Sequence, residues 1–253
     1  MTSEKTAADA GIGKLGLCSG CGHFPDYLNS RKCTPGDACI RAHSGRQIDR
    51  FLRINPELAA NYLNDIFWER RAIATRYAAI DAILGLKSDP DEVVRRVVAM
   101  RLPVDSLIDM VGDPDREVRL SVAARLPEVL LIRLIHDPDY LIRATVARRL
   151  PHGQLAKLAK DPEREVRKVV AARLPAFALH LLADDAEPEV RAIVAERALP
   201  GLAAALLQDP EWWVRLAAVG SAPLEFLRPL TADPEIEVRE AAPAGLCRPK
   251  SAR

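Results

Sequence analysis

From Asp65 onward the apolar and polar positions of the chain fall in a pattern that returns every 24 residues. In Asp113 to Pro127, DPDREVRLSVAARLP, the residues Val118, Val122, Ala123 and Leu126 lie at helical spacing on one face and polar residues fill the other positions. Asp113 suits an N-cap and Pro114 the first helical position, where its missing N–H costs nothing, and the acidic residues that follow favour the positive end of a helix dipole. Pro127 disfavours helical geometry at Leu126, so the pattern predicts a helix of about three turns from Pro114 to the residues before Pro127. About nine residues follow in which Leu131 and Leu134 lie three apart, as Leu155 and Leu158 do one unit later. A spacing of three fits a turn of 3₁₀ helix, whereas a strand would alternate every second residue. No unit carries a strand pattern.

The repetition is strict. Asp89, Asp113, Asp137, Asp161, Asp185, Asp209 and Asp233 stand on one 24-residue grid, and so do Arg95, Arg119, Arg143, Arg167, Arg191, Arg215 and Arg239. Asp65 and Arg71 extend the phase to an eroded earlier copy, giving about eight units with the truncated last one. Pro200 comes one place late, yet Asp209 is back on the grid, so a fixed spacing is being held. One unit is too small to bury its own apolar face, and neighbours must stack into an elongated core. Alanines at 99, 123, 147, 171 and 195 mark where units approach closely. These apolar ladders read as packing, with no cofactor pocket among them.

The motif D-P-(D/E)-x-x-V-R-x-x-V-A-x-R-L-P resembles the leucine-rich repeat variant family. That resemblance implies an all-α, right-handed superhelical solenoid of 24-residue repeats, alternating α-helix with 3₁₀-helix and without a β-sheet. Ordinary leucine-rich repeats would need L-x-L alternation and an Asn ladder, and HEAT units run to about 40 residues. The organisation expected is a cysteine-bearing domain over residues 1–45, a helical connection over 46–64, the array over 65–240 and a tail over 241–253. In the connection, IDRFLRI and PELAANYLNDIFW place apolar residues at helical spacing, and Pro56 suits a helix start.

Chemistry concentrates near the N-terminus. Cys18, Cys21, Cys33 and Cys39 follow the spacing C-x2-C-x11-C-x5-C, and the fifth cysteine, Cys247, is expected to be a free thiol in the tail. Without an export signal disulfides are disfavoured, and clustered cysteines point to a metal. Gly20 and Gly22 allow the backbone of a C-x-x-C turn to bring two thiolates to one site. Spacing alone leaves zinc and an iron–sulfur cluster open, since four thiolates suit either. The wide intervals resemble the small 4Fe-4S binding domain that precedes leucine-rich repeat variant arrays. By that resemblance the four cysteines are ligands of a [4Fe-4S] cluster, with zinc as the alternative. His23 and His43 flank them and are read as surface or hydrogen-bonding residues.

Composition changes the picture little. Apolar residues make up 49% of the chain and the formal net charge is +1. The absence of a clustered positive footprint argues against nucleic acid as a partner. The arginine ladder could line a groove for an acidic partner or phosphate, but carboxylates recur at fixed phase in every unit, and structural pairing is the stronger reading. Trp212 and Trp213 replace polar residues of other units and mark either an interaction patch or packing against the irregular Pro200 unit. No phosphate-binding Gly loop, G-x-S-x-G or H-E-x-x-H motif is present, so no enzyme activity and no small-molecule substrate are expected. No stretch reads as a signal peptide or membrane span, which leads to the expectation of a cytoplasmic protein. The function expected is an iron–sulfur protein whose solenoid binds a protein partner, such as a redox protein, with the cluster used for electron transfer, redox sensing or structural capping; the alternatives are a zinc-stabilised structural scaffold and, second, a nucleic-acid-binding solenoid acting through the arginine ladder.

Overall fold

Helix and 3₁₀ turn alternate along the computed structural model, which describes residues 16–246. Among these residues there is no strand, only an isolated bridge between Thr34 and Ala38. The chain divides into two units, the first ending at Leu126 and the second starting at Pro127.

In the first unit, helices α1 (Gly45–Ile54), α2 (Trp68–Tyr77), α3 (Glu92–Arg101) and α4 (Arg116–Arg125) pack consecutively side by side. The 3₁₀ segments Pro56–Tyr62, Leu84–Ser88 and Val104–Met110 join them, the second after a single helical turn at Ile80–Ile83. The second unit repeats this order. Its helices longer than one turn are α5 (Tyr140–Arg149), α6 (Arg164–Arg173), α7 (Pro188–Arg197), α8 (Pro200–Leu206), α9 (Trp212–Val219) and α10 (Ile236–Leu246), with a single helical turn at His152–Leu155. Its 3₁₀ segments include Glu128–Leu134 and Ala176–Leu182.

The core is the set of grid positions read from the apolar pattern. Val118, Val122, Ala123, Leu126 and Leu131 are fully buried, as are Val166, Val170, Ala171 and Leu179 in the second unit. Burying one such Val or Leu is worth about 1.5–3 kcal/mol, so every unit supplies a similar increment and none supplies a core alone. The predicted Leu pairs, Leu131/Leu134 and Leu155/Leu158, both point inward.

Three features differ from the expectation or extend it. The helix of the quoted repeat starts two residues later than predicted: α4 begins at Arg116, and Asp115 is its N-cap, accepting from the N–H groups of Glu117 and Val118. Asp113 instead folds a turn by accepting from the Asp115 N–H at 2.9 Å, which leaves Pro114 outside the helix. The shift follows from competition between two aspartates, of which Asp113 is also held by an arginine of the preceding repeat. In the late-proline unit the 3₁₀ segment is replaced by α8, which still buries Leu206 and returns Asp209 to the ladder. Residues 46–64, read as a connection, are built like a repeat: α1 is followed by a 3₁₀ segment whose first residue, Pro56, lies 48 residues before Val104, the start of a later 3₁₀ segment. The array's alternation therefore begins one unit earlier than the Asp and Arg grid shows. At the other end α10 carries the helix through the first residues of the expected tail as far as Leu246, and Cys247 lies outside the described residues. No helix among them is long and apolar enough to cross a membrane.

Candidate functional site

The four cysteines come from three short loops. Cys18 and Cys21 close a tight turn, the Cys21 N–H donating to the Cys18 carbonyl at 3.1 Å, and Gly20 sits in the left-handed region at φ 68°. A side chain there would be strained, so this glycine is needed by the turn. Gly22, singled out in the sequence with it, has no left-handed φ. The Cys33 N–H donates to the Tyr27 carbonyl at 3.1 Å, just after Arg31 at φ 58°. Between Cys33 and Cys39 the chain reverses through the Thr34–Ala38 bridge, with Gly36 at φ 78°. Cys39 is buried, and its N–H donates to the Gln47 carbonyl in α1 at 3.2 Å.

These loops bring all four cysteines to the wall of one apolar cavity, which Leu17, Phe24, Pro35, Ile40 and Phe51 complete. None of the four is in a disulfide. Among the described residues no three His, Cys, Asp or Glu side chains converge at single-ion distance. Burial pushes the Cys33 thiol up, and Cys18, Cys39 and Cys21 push it further; burial likewise raises Cys18, with Cys39 and Cys21 adding to it and Arg41 acting in the opposite direction. Negative charge on neighbouring sulfurs thus opposes ionisation of Cys18 and Cys33, and a positive centre among them would relieve that opposition.

The lobe is fastened to α1 and the 3₁₀ segment after it. Gln47 donates to the Gly36 carbonyl at 2.6 Å, and Arg50 pairs with Asp37. The fully buried Asn55 donates to the Lys32 carbonyl at 2.8 Å. His23 also lines the cavity, but its Nε2 lies 2.6 Å from the Tyr62 hydroxyl and its ring packs on Tyr27 and Phe51, which is the hydrogen-bonding role read from the sequence. Burial, with a smaller push from Cys21, raises the Tyr62 hydroxyl to about 12, so it is a neutral phenol near pH 7. His43 is exposed, its ring 6.0 Å from that of Phe67.

The ladder arginines are engaged inside the fold. Arg95 grips Asp113 in two parallel bonds, Nε to Oδ2 at 2.8 Å and Nη2 to Oδ1 at 2.9 Å, while its Nη1 donates to the carbonyls of Asp89 and Pro90. Arg71 does the same with Asp89, and in the second unit Arg143, Arg167, Arg191 and Arg215 pair with Asp161, Asp185, Asp209 and Asp233. Arg119 and Arg239 make the same Nη1 bonds to the carbonyls of their own DP turns. The paired guanidiniums are mostly buried, so they form no groove for phosphate; charge pairing across successive repeats is what the grid encodes.

A second arginine ladder was missed in the sequence. Arg101 donates to the carbonyls of Thr75 and Ala78, Arg125 to those of Ala99 and Leu102, Arg173 to Ala147 and Leu150, and Arg197 to Ala171 and Leu174. Each satisfies carbonyls left unbonded at the C-terminus of the preceding helix. The signal was present as the recurring R-L-P at Arg101, Arg125 and Arg173, and as R-A-L-P at Arg197. Trp212 and Trp213 are half-buried in the first turn of α9, and α8 of the irregular unit packs against that helix.

The pairing sets an acid limit. The Arg215 guanidinium holds the Asp233 carboxyl below its ordinary value against the opposing effect of burial. Burial pushes Asp209 up, but bonds from Arg191 and the Glu211 N–H outweigh it and the net direction is down. A carboxyl lowered in the folded state contributes stability that is complete above its unfolded value and lost as pH falls through the folded one. Urea unfolding of the second unit should therefore show a midpoint level from neutral pH down to about 4 and falling below it, since unfolded Asp titrates near 3.9. A midpoint unchanged down to pH 2.5 would remove these pairs from the stability of the fold.

Fold and site together define a class: an all-helical solenoid of 24-residue α/3₁₀ repeats led by a four-cysteine lobe. Residues 12–61 match the family described as LRV protein FeS4 cluster. A solved structure described as a leucine-rich repeat variant with a novel repetitive protein structural motif is 52% identical, covering 90% of this chain and 98% of that one at a TM-score of 0.85. A Rhodobacter capsulatus protein, described as an uncharacterized 27.7 kDa protein in the nifB 3′ region, is 38% identical over 86 residues, which is 34% of this chain and 35% of that protein. The chain belongs to the leucine-rich repeat variant family. It is an iron–sulfur-associated repeat protein.

Proposed function

We propose that Cys18, Cys21, Cys33 and Cys39 hold a [4Fe-4S] cluster, that the cluster is a one-electron centre which also fastens the lobe to the array, and that the array binds a protein partner. The observation that carries this reading is the meeting of all four free cysteines on one apolar cavity inside the segment matched to the iron–sulfur family. The donor set fits the group, because four thiolates are the usual ligands of such a cluster and an apolar wall limits solvent access to it. When bound, the cluster supplies a metal-centred electron acceptor and donor. The chain's own residues do the rest: Gly20 permits the Cys18–Cys21 turn, Gln47 and Asn55 hold the loops bearing Cys33 and Cys39, and the buried Ile40 and Phe51 exclude water.

With four cysteine ligands no iron is left open to a substrate, which favours a carrier or sensor over an enzyme. The partner is read as a protein. The ladder arginines are spent on carboxylates and on the carbonyls of their own turns, whereas Val129 and Phe177, at equivalent positions of two 3₁₀ segments, are 71% and 74% exposed. Four cysteines gathered outside any disulfide fit a reducing, cytoplasmic setting.

The test is the visible spectrum and the iron, sulfide and zinc content of protein purified without oxygen, before and after dithionite. The expected result is a brown protein with about four iron and four sulfide per chain that bleaches on reduction. A colourless protein that binds one zinc when reconstitution with iron and sulfide fails would overturn the reading.

A further inference from the structure

Arg41 lies outside the four-cysteine motif, yet its guanidinium reaches back into it. Nη1 donates to the Ser19 carbonyl at 2.5 Å, inside the Cys18–Cys21 turn, and the same nitrogen lies 3.4 Å from where a Cβ on Gly20 would stand. Two residues beyond Cys39, Arg41 therefore ties the loop of the last cysteine to that of the first two. Lys32, next to Cys33, is placed differently: it lies over the Tyr27 ring at 5.4 Å and 4.0 Å from the Glu57 carboxylate, so its charge has a carboxylate neighbour. Among the described residues Arg41 makes no ion pair with a carboxylate. Its charge faces the cysteine turn uncompensated by a bonded anion.

We propose that Arg41 is a positioning residue that sets the reduction potential of the centre, raising it by stabilising the extra negative charge of the reduced state. The inference rests on the iron–sulfur reading above. The physical reason is simple: one electron taken from an external reductant such as dithionite adds one negative charge inside the four thiolates, with no bond made or broken in the protein. A fixed positive charge at the rim of the Cys18–Cys21 turn favours that state by Coulomb attraction. Cluster potentials are set by nearby charge, by hydrogen bonding and by exposure. Arginine stays protonated through the working pH range, so its contribution is constant where a histidine's would vary.

The test compares wild type, Arg41→Lys and Arg41→Gln. Iron and sulfide are assayed first, and dye-mediated redox titrations followed by the spectrum of the reduced cluster are then run at low and high salt. Arg41→Gln is expected to retain iron and sulfide and to be harder to reduce, its reduction equilibrium falling about tenfold, or about 59 mV for a one-electron couple. Arg41→Lys, which keeps the charge, should remain within a few-fold of wild type. Because Arg41 is exposed, the gap between wild type and Arg41→Gln should narrow as ionic strength rises. Equal potentials in wild type and Arg41→Gln, or a shift just as large in Arg41→Lys, would overturn the proposal. So would loss of the cluster in Arg41→Gln together with an unshifted, salt-independent potential in Arg41→Lys, since Arg41 would then serve assembly alone. A wild-type protein that holds no iron and sulfide fails at the first assay and so counts against the cluster itself, separately from Arg41.

Discussion

Stripping the iron, or replacing Cys33 with serine, is expected to unfold the lobe and then loosen the first helices of the array. Residues 16–44 contain one helical turn, Asp26–Asn29, and few fully buried apolar side chains, chiefly Ala38, Ile40 and Ala42. So small a segment cannot be held by apolar burial alone, and in small metal-bound domains the metal contributes folding free energy outright, about 10–16 kcal/mol for structural zinc. The bonds from Gln47 to Gly36 and from Asn55 to Lys32 link the two parts, so losing the ordered loops removes an acceptor from each of those side chains, Asn55 keeping its bond to the Phe51 carbonyl at 2.9 Å. Limited proteolysis with mapping of the cuts is the measurement. In the stripped protein early cleavage should fall within 16–44 and spread through α1, while the second unit keeps its protection. Equal protection of loaded and stripped protein would show that the lobe stands without its cluster.

The second large effect is expected from Asp161→Ala. This substitution removes both oxygens that receive Arg143 and the acceptor of the Glu163 N–H, leaving the guanidinium unpaired at a site where Arg143 is 8% exposed. Removing one partner of a buried pair costs about 3–5 kcal/mol, against about 0–1 kcal/mol for a solvent-exposed one. Urea unfolding should show the larger loss. The double replacement Arg143→Met with Asp161→Leu should recover much of it, because no charge is then left buried. A loss below 1 kcal/mol in the single variant would place the ladder with ordinary surface pairs.

How much of this could be read from the sequence depended on whether a residue's role was local or belonged to the neighbouring repeat. Apolar spacing of three and four gave helix and 3₁₀ turn correctly, because Val118, Val122 and Leu131 are buried by the same geometry that sets their period. The N-cap was misplaced because Asp113 and Asp115 are both competent caps, and Asp113 is taken up by the Asp115 N–H and by Arg95, 18 residues away. The repeat formed by α1 and Pro56–Tyr62 was hidden because it has the shape of a unit without the DP and VR residues that announce one. The carbonyl-binding arginines, such as Arg125, sit in the last turn of a helix, where a basic residue is already favoured by the dipole, and nothing local reveals a target in the preceding helix. At the lobe, grouping of the four cysteines was legible from their spacing. The contribution of Arg41 was not, since it depends on a fold-back of the chain onto Ser19.

The two arginine ladders have a consequence for how such a chain can change length. Each repeat reaches its neighbour through fixed sequence offsets, 18 residues for Arg95 to Asp113 and 26 and 23 for Arg125 to Ala99 and Leu102. Those offsets return within each unit, as Arg167 to Asp185 and Arg197 to Ala171 and Leu174 show. A 24-residue cassette therefore presents a socket on one side and a matching plug on the other. Splicing one in or out would regenerate every bond at the seam, whereas a single inserted residue in a helix would misalign both ladders at once. The architecture is tolerant of whole-number edits and intolerant of fractional ones, so the array can lengthen or shorten by whole repeats without a new contact between neighbouring repeats having to be invented.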